Sequence, residues 1–222
     1  WITEFVGRCP PLHNSLVIWH NALMRNLTAT LCLTIAVLLG SMGVSASADF
    51  QKGLTAYKSK DYATALRELK PLAKQGDADA QYYLGKMYDK GQGVPQNDKT
   101  AVKWFKLAAE QGFADAQNYL GVMYEDGEGV PQNHKTAVKW YRLAAKQGHD
   151  GAQNNLGAMY EEGQGVKQDL VYAHIWRSIA NMNGNFLASM EIDSLEEKMT
   201  PAQIAEAQKL AQECIRKKYK GC

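Results

Sequence analysis

Apolar residues recur along this chain with a helical period, and the pattern repeats every 36 residues. Aligning 77–112, 113–148 and 149–184 brings Gln81, Gln117 and Gln153 into register, and likewise Leu84-Gly85, Leu120-Gly121 and Leu156-Gly157. Trp104, Trp140 and Trp176 fall at a further shared position, and Gly112, Gly148 and Gly184 close the three units. Within one unit, Ala80, Leu84 and Tyr88 form an i, i+4, i+8 stripe, which predicts a first helix. A Gly-x-Gly then ends that helix, because glycine accepts the left-handed conformation at a helix C-terminus. Asn97, Asn133 and Asp169 stand just before the second stripe and are good N-caps. Ala101, Trp104, Phe105, Ala108 and Ala109 give the second helix its apolar face.

One such helix pair cannot bury its own apolar face, so neighbouring pairs must stack into a solenoid. The spacing of large and small residues predicts that Trp104 fills the space that Ala101, Ala108 and Gly85 leave open, and that the three tryptophans are core residues. Residues 49–76 read as a degenerate first repeat with a tighter turn, its helices at 50–58 and 62–75. After Gly184 the pattern breaks. Residues 186–199 and 201–219 read as two further helices that cap the open C-terminal face of the stack.

The pattern A-x-x-x-L-G-x-x-Y-x-x-G-x-G-V, followed by A-x-x-W-[FY]-x-x-A-A-x-x-G, resembles Sel1-like repeats, relatives of the tetratricopeptide repeat. It stands here as AQYYLGKMYDKGQGV…AVKWFKLAAEQG and AQNYLGVMYEDGEGV…AVKWYRLAAKQG, with a third copy that departs in its second helix (AHIWRSIANMNG). The resemblance implies an all-α fold, a right-handed α/α superhelix whose concave face is lined by the first helix of each pair. It also implies a scaffold that binds a protein or peptide in that groove, often in the bacterial envelope. Exported members with a disulfide in each repeat bind or weakly hydrolyse penicillins. A binder or hydrolase of β-lactams or cell-wall amides is therefore the alternative reading, although no cysteine lies within these repeats. The groove positions that result are Tyr82, Asn118 and Asn154, then Tyr83, Tyr119 and Asn155, with Lys86 one turn on. Asparagine carries both donor and acceptor and can hold an extended backbone without reading its sequence.

Export is read from residues 24–48. Arg25 follows Met24, an apolar stretch runs from Leu27 to Gly40, and Ala46-Ser47-Ala48 ends a small, polar segment, the pattern of a cleavable signal peptide. The apolar part is short for a membrane span of ~20 residues. On this reading residues 1–23 are an upstream extension, the mature chain begins at Asp49, and the protein is periplasmic or secreted with no stable membrane span. Of the four cysteines, Cys214 and Cys222 then remain, close enough in sequence for a disulfide that pins the C-terminal end. A loop so short is worth about 2–3 kcal/mol.

The remaining chemistry is sparse. With 25 basic and 23 acidic residues the net charge is +2, which points away from nucleic acid as partner. Neither a serine-nucleophile motif, a zinc-protease motif nor a phosphate-binding loop occurs, so no catalytic residue, cofactor or metal is assigned and the chain is expected to act as a monomeric binding protein. Asp89, Glu125 and Glu161 recur at one repeat position and are expected to mark a solvated helix end.

Overall fold

The computed structural model describes residues 50–222, and these are α-helical without strands. The signal segment 24–48 and the leading residues 1–23 lie outside the described residues. Ten helices follow in order: α1 (50–58), α2 (Tyr62–Gln75), α3 (Ala78–Lys90), α4 (Asp98–Glu110), α5 (Ala114–Asp126), α6 (His134–Ala145), α7 (Asp150–Glu162), α8 (Leu170–Met182), α9 (Phe186–Glu196) and α10 (Pro201–Arg216). Each helix packs on the next from α2 to α9, as consecutive antiparallel pairs of a solenoid do.

The connections follow local chemistry. Asn97 and Asn133 accept from the backbone N–H of Thr100 and Thr136, both at 2.9 Å, and Asp169 does the same for Tyr172 at 3.0 Å. In the loop between α5 and α6, Gly127 takes φ +77° and donates its N–H to the Met123 carbonyl. Gly129, at φ +70°, touches the preceding unit, and a Cβ there would stand 2.5 Å from the Asp98 carbonyl oxygen at the start of α4. Each such loop therefore seats on the N-terminus of the second helix one unit earlier, where only a bare backbone fits.

The choice of core aromatic differs from expectation. Phe105 and Tyr141 are fully buried, whereas Trp104 and Trp140 are only half-buried. The ring lying on Gly85 is that of Phe105, where an added Cβ would meet it at 2.7 Å, and Tyr141 lies on Gly121 in the same way. Trp104 instead reaches back to the apolar cluster formed with the preceding helices. Trp176 alone of the three is fully buried.

The C-terminal segment also differs. The helices are shorter than expected, ending at Glu196 and Arg216, and α10 opens with a capping box between Thr200 and Gln203. Moreover, α9 is joined to α8 as every first helix is joined to the helix before it: Asn185 donates its N–H to the Ala180 carbonyl, as His149 does to Ala144. Its Ala188 is buried at the position of Ala80, Ala116 and Ala152. Thus α9 is a fourth first helix whose sequence has drifted. Meanwhile α10 also packs on α8, and its Ala207, Ala211 and Cys214 are buried in one apolar cluster with Ile175, Trp176 and Ile179. Cys214 and Cys222 are bonded to each other, Cα to Cα 5.8 Å, and tie the chain end to α10.

The seating of the loops gives a quantitative expectation. Gly129→Ala places a Cβ against backbone in a strained conformation, while Gly112→Ala (φ +92°) meets nothing within 4 Å. Thermal unfolding is expected to show Gly129→Ala costing about 1–3 kcal/mol more than Gly112→Ala. Equal losses would show that the loops do not bear on the preceding unit.

Candidate functional site

The first helices α3, α5 and α7 carry the predicted groove residues, and their chemistry divides into residues consumed by the fold and residues left to solvent. Gln81, Gln117 and Gln153 are buried, at 3%, 4% and 0% exposure. Each donates from Nε2 to a carbonyl of the preceding helix, Ala73, Ala109 and Ala145 respectively, all at 3.0 Å. Each also accepts at Oε1, at 2.8 Å, from the far end of its own pair, from Gln111, Gln147 and Asn183. One amide thus fastens three helices, which explains why that residue recurs without change.

The acidic ladder is not a solvated helix end. Asp89 is buried and pairs with Lys90 at 3.0 Å. Glu125 accepts from the Tyr141 hydroxyl at 2.5 Å, and burial raises its carboxyl above the usual carboxylate range. Glu161 accepts from Arg177 at 2.5 Å and from Lys198 at 2.7 Å. Burial works to raise the Glu161 pKa, but hydrogen bonds from Lys198 and Arg177 outweigh it and hold the carboxyl below its ordinary value. The partner sixteen residues on changes from Phe105 to Tyr141 to Arg177, and the acid is the shorter Asp only beside Phe105, where no polar partner reaches it from that position. Nothing in the acid's own neighbourhood in sequence reveals this.

Position 82 and its equivalents face the next unit. Tyr82 is 7% exposed, so it is not the open groove contact that its helical face suggested. Its ring packs on Phe113 at 5.1 Å and on Tyr119 at 5.7 Å, and burial drives its phenol pKa far up. Asn118, one unit on, accepts from Asn155 Nδ2 at 3.1 Å. Asp115 faces His149 at 3.6 Å, and that contact holds its carboxyl below the ordinary value. Asn154 is half-buried, with a buried Oδ1 that no protein group meets.

Asn118 and Asn154 stay partly open, and so does the row one position on. Tyr83, Tyr119 and Asn155 are half-exposed, and so is Lys86. The Lys86 ammonium lies over three rings, 5.8 Å from Tyr57, 5.4 Å from Tyr82 and 5.7 Å from Tyr119. Such an arrangement holds the cation by the negative faces of the rings. Tyr119 is stacked on Phe105 at 5.2 Å, which fixes its plane. The row is therefore rigid, aromatic and cationic at its N-terminal end and amide-bearing at its C-terminal end.

Sequence reasoning also left His174 unassigned. It is 1% exposed, faces Glu196 at 2.8 Å through Nε2, and lies 3.1 Å from the Ser178 hydroxyl through Nδ1. An acid, a histidine and a serine in this order resemble a nucleophile relay. Ser178 lies in mid-helix, however, where the backbone N–H groups that could stabilise an oxyanion are committed to the helix. The three side chains tie the end of α9 to α8. Among the described residues no group of three His, Cys, Asp or Glu could hold a metal ion.

Residues 78–113, 114–149 and 151–185 each match the Sel1 repeat. The chain is a Sel1 repeat protein. It is similar to a Sel1 repeat protein from Oxalobacter formigenes, with 40% identity and a TM-score of 0.62 over 65% of this chain and 57% of that one. It is also similar to c5321, a protective antigen of uropathogenic Escherichia coli strains with an SLR fold, at 30% identity and a TM-score of 0.55 over 78% of this chain and 47% of that one. The chain thus spans about half the length of these two structures. No curated protein sequence matches it. The Sel1 family is typically one of protein-interaction scaffolds rather than catalysts. No described helix is long and apolar enough to cross a membrane.

Two expectations follow. Gln117→Leu removes the buried bond to the Ala109 carbonyl, leaving it only the Gly112 N–H, and should cost about 1–3 kcal/mol in denaturant unfolding. Gln147→Ala, at the exposed end of the other Gln117 bond, should cost less than about 1 kcal/mol. The second concerns pH. Because the folded-state pKa of Glu161 is lowered, its ionisation stabilises the fold above its unfolded pKa, and that contribution is lost as pH falls through the folded value. Lys198→Met removes one of the hydrogen bonds that lower the pKa. The stability difference between wild type and this variant should be present at neutral pH and vanish below the usual carboxylate range, as read by circular dichroism of acid unfolding.

Proposed function

We propose that this Sel1 repeat protein is an exported scaffold that holds an extended segment of a protein partner along its first helices, on the concave side of the stack. The observation that carries this reading is the half-exposed row Tyr83, Lys86, Tyr119 and Asn155, fixed in place by contacts that the fold already makes. Rigid aromatic side chains give contact area at small entropic cost, which suits them to anchoring a bound chain. Asn155 retains its own amide oxygen for a backbone N–H, since its Nδ2 donates to Asn118. The segment that fits is therefore apolar where it crosses Tyr83 and Tyr119 and presents backbone groups where it crosses Asn155. Carboxylates of the segment suit the Lys86 ammonium.

Export is supported by the n-region, apolar stretch and Ala46-Ser47-Ala48 of the leader. Expressed in a Gram-negative cell, the protein should appear in the periplasmic fraction with Asp49 at its N-terminus. A photo-crosslinking residue placed at Tyr83 or Asn155 should capture a discrete envelope partner. The same residue at Lys103 or Lys139, exposed on the second helices, should not. Capture from both faces alike, or retention of residues 24–48 in the cytoplasm, would overturn the corresponding half of the proposal.

A further inference from the structure

The row of half-open positions does not stop at Asn155. The residue beneath each member shows where it continues. Tyr119 stacks on Phe105 at 5.2 Å, and Glu191 stands with its Oε2 3.1 Å from Nε of Arg177. Phe105 and Arg177 occupy one repeat position, so Tyr83, Tyr119, Asn155 and Glu191 form one row across α3, α5, α7 and α9. The Glu191 side chain is 42% exposed. Arg177, at 6% exposure, is held also by Glu161 and reaches only Oε2 of Glu191, so that Oε1 has no partner among the described residues. The same register governs the flank of the row. Tyr82 meets Tyr119 at 5.7 Å, and Asn118 accepts from Asn155 at 3.1 Å. Asn154 is thereby set toward Glu191, which has no side-chain N–H to give. Its Oδ1 is buried and accepts no hydrogen bond. The two earlier seams are closed by their own chemistry, ring on ring and amide on amide, whereas this one lacks a donor.

We propose that Glu191 and Asn154 receive a basic side chain, lysine or arginine, from the bound segment, so that the groove selects a cation at its α9 end. The proposal rests on the groove reading above and adds a specificity to it. Lysine and arginine side chains donate hydrogen bonds and accept none. The two oxygens that meet here, one of a carboxylate and one of an amide, lack donors. No partner fixes the Asn154 Oδ1, so rotation about the last side-chain bond can turn that oxygen toward an incoming cation. Charge favours the same ligand. Helix α9 carries the acids Glu191, Asp193 and Glu196 and no basic residue, whereas α3 balances Asp79 and Asp89 with Lys86 and Lys90. Spacing places the base within the segment. Packed helices succeed one another at about 10 Å, and an extended chain advances about 3.3 Å per residue. The base therefore falls roughly six residues from the apolar side chain that crosses Tyr119, two first helices away.

Selection from a library of random peptides, about twelve residues long and displayed on phage, against the immobilised full chain tests this. The sequences recovered should share a lysine or arginine roughly six residues from an apolar position. A synthetic peptide of the recovered sequence should bind Glu191→Gln about tenfold more weakly than the wild type. This variant keeps a polar group facing Arg177, and its far-ultraviolet spectrum should be unchanged. Replacing the basic residue of the peptide with norleucine should weaken binding to the wild type by about the same factor and to Glu191→Gln by less than about twofold. A general loss of structure would not produce that coupling. Recovered peptides without a shared basic position, or a norleucine loss equal in both proteins, overturn the proposal and leave the groove reading standing where Tyr119→Ala abolishes binding. Recovery of no peptide, or of peptides indifferent to Tyr119→Ala, overturns both.

Discussion

A buried amide cannot be left unpaired without a cost of about 1–3 kcal/mol for each stranded group, and the whole stack is organised around meeting that demand. Gln81, Gln117 and Gln153 each satisfy a carbonyl of the helix before and a side-chain donor of the helix after. Only one rotation and one offset between neighbouring helices allow both bonds at once. The glutamines thus set the frame in which Gly85 can admit Phe105, Gly121 can admit Tyr141, and the Gly-x-Gly loops can seat on the preceding unit. Apolar burial supplies the driving force, but it is tolerant of small rotations, whereas the amides are not.

With that frame fixed, the other side chains divide their duties by position. Tyr82 faces the next unit and is closed over by it, although its counterpart Asn118 stays half-exposed. The row one step around the helix stays half-open, at Tyr83, Tyr119 and Asn155. Successive helix positions lie about 100° apart, so adjacent residues of the same type serve different ends. The rigidity of the open row is a by-product of the seams beneath it: Lys86 rests on rings that are themselves wedged between units.

Much of this was legible in the sequence. The period, the caps Asn97, Asn133 and Asp169, and the turn glycines announce themselves because each is dictated by local backbone chemistry. The row around Tyr83, Lys86 and Asn155 was likewise readable from helical phase. Other features were hidden because they depend on distant partners. Trp104 and Phe105 both belong to the apolar stripe, and only the surface of Gly85 decides that the smaller ring goes inward. Glu125 looks like any exposed acid until Tyr141 is brought over it. Tyr82 shares a face with the groove residues, yet Phe113 and Tyr119 of the next unit close over it. The fourth first helix, α9, escaped notice because Ser189, Ile192 and Asp193 replace the residues that mark the others.

The seams have a genetic consequence. Repeats this similar in sequence invite unequal crossing-over, which removes whole copies. Loss of the middle 36 residues would keep every glutamine bond and every loop contact in phase, because those are the same in each unit. It would nevertheless set Tyr82 against His149 and Asn155, a ring meeting imidazole and amide where it had met Phe113 and Tyr119. The array can therefore lose a copy without losing its frame, but not without a mismatch at the new junction, so the order of the repeats is itself an inherited property.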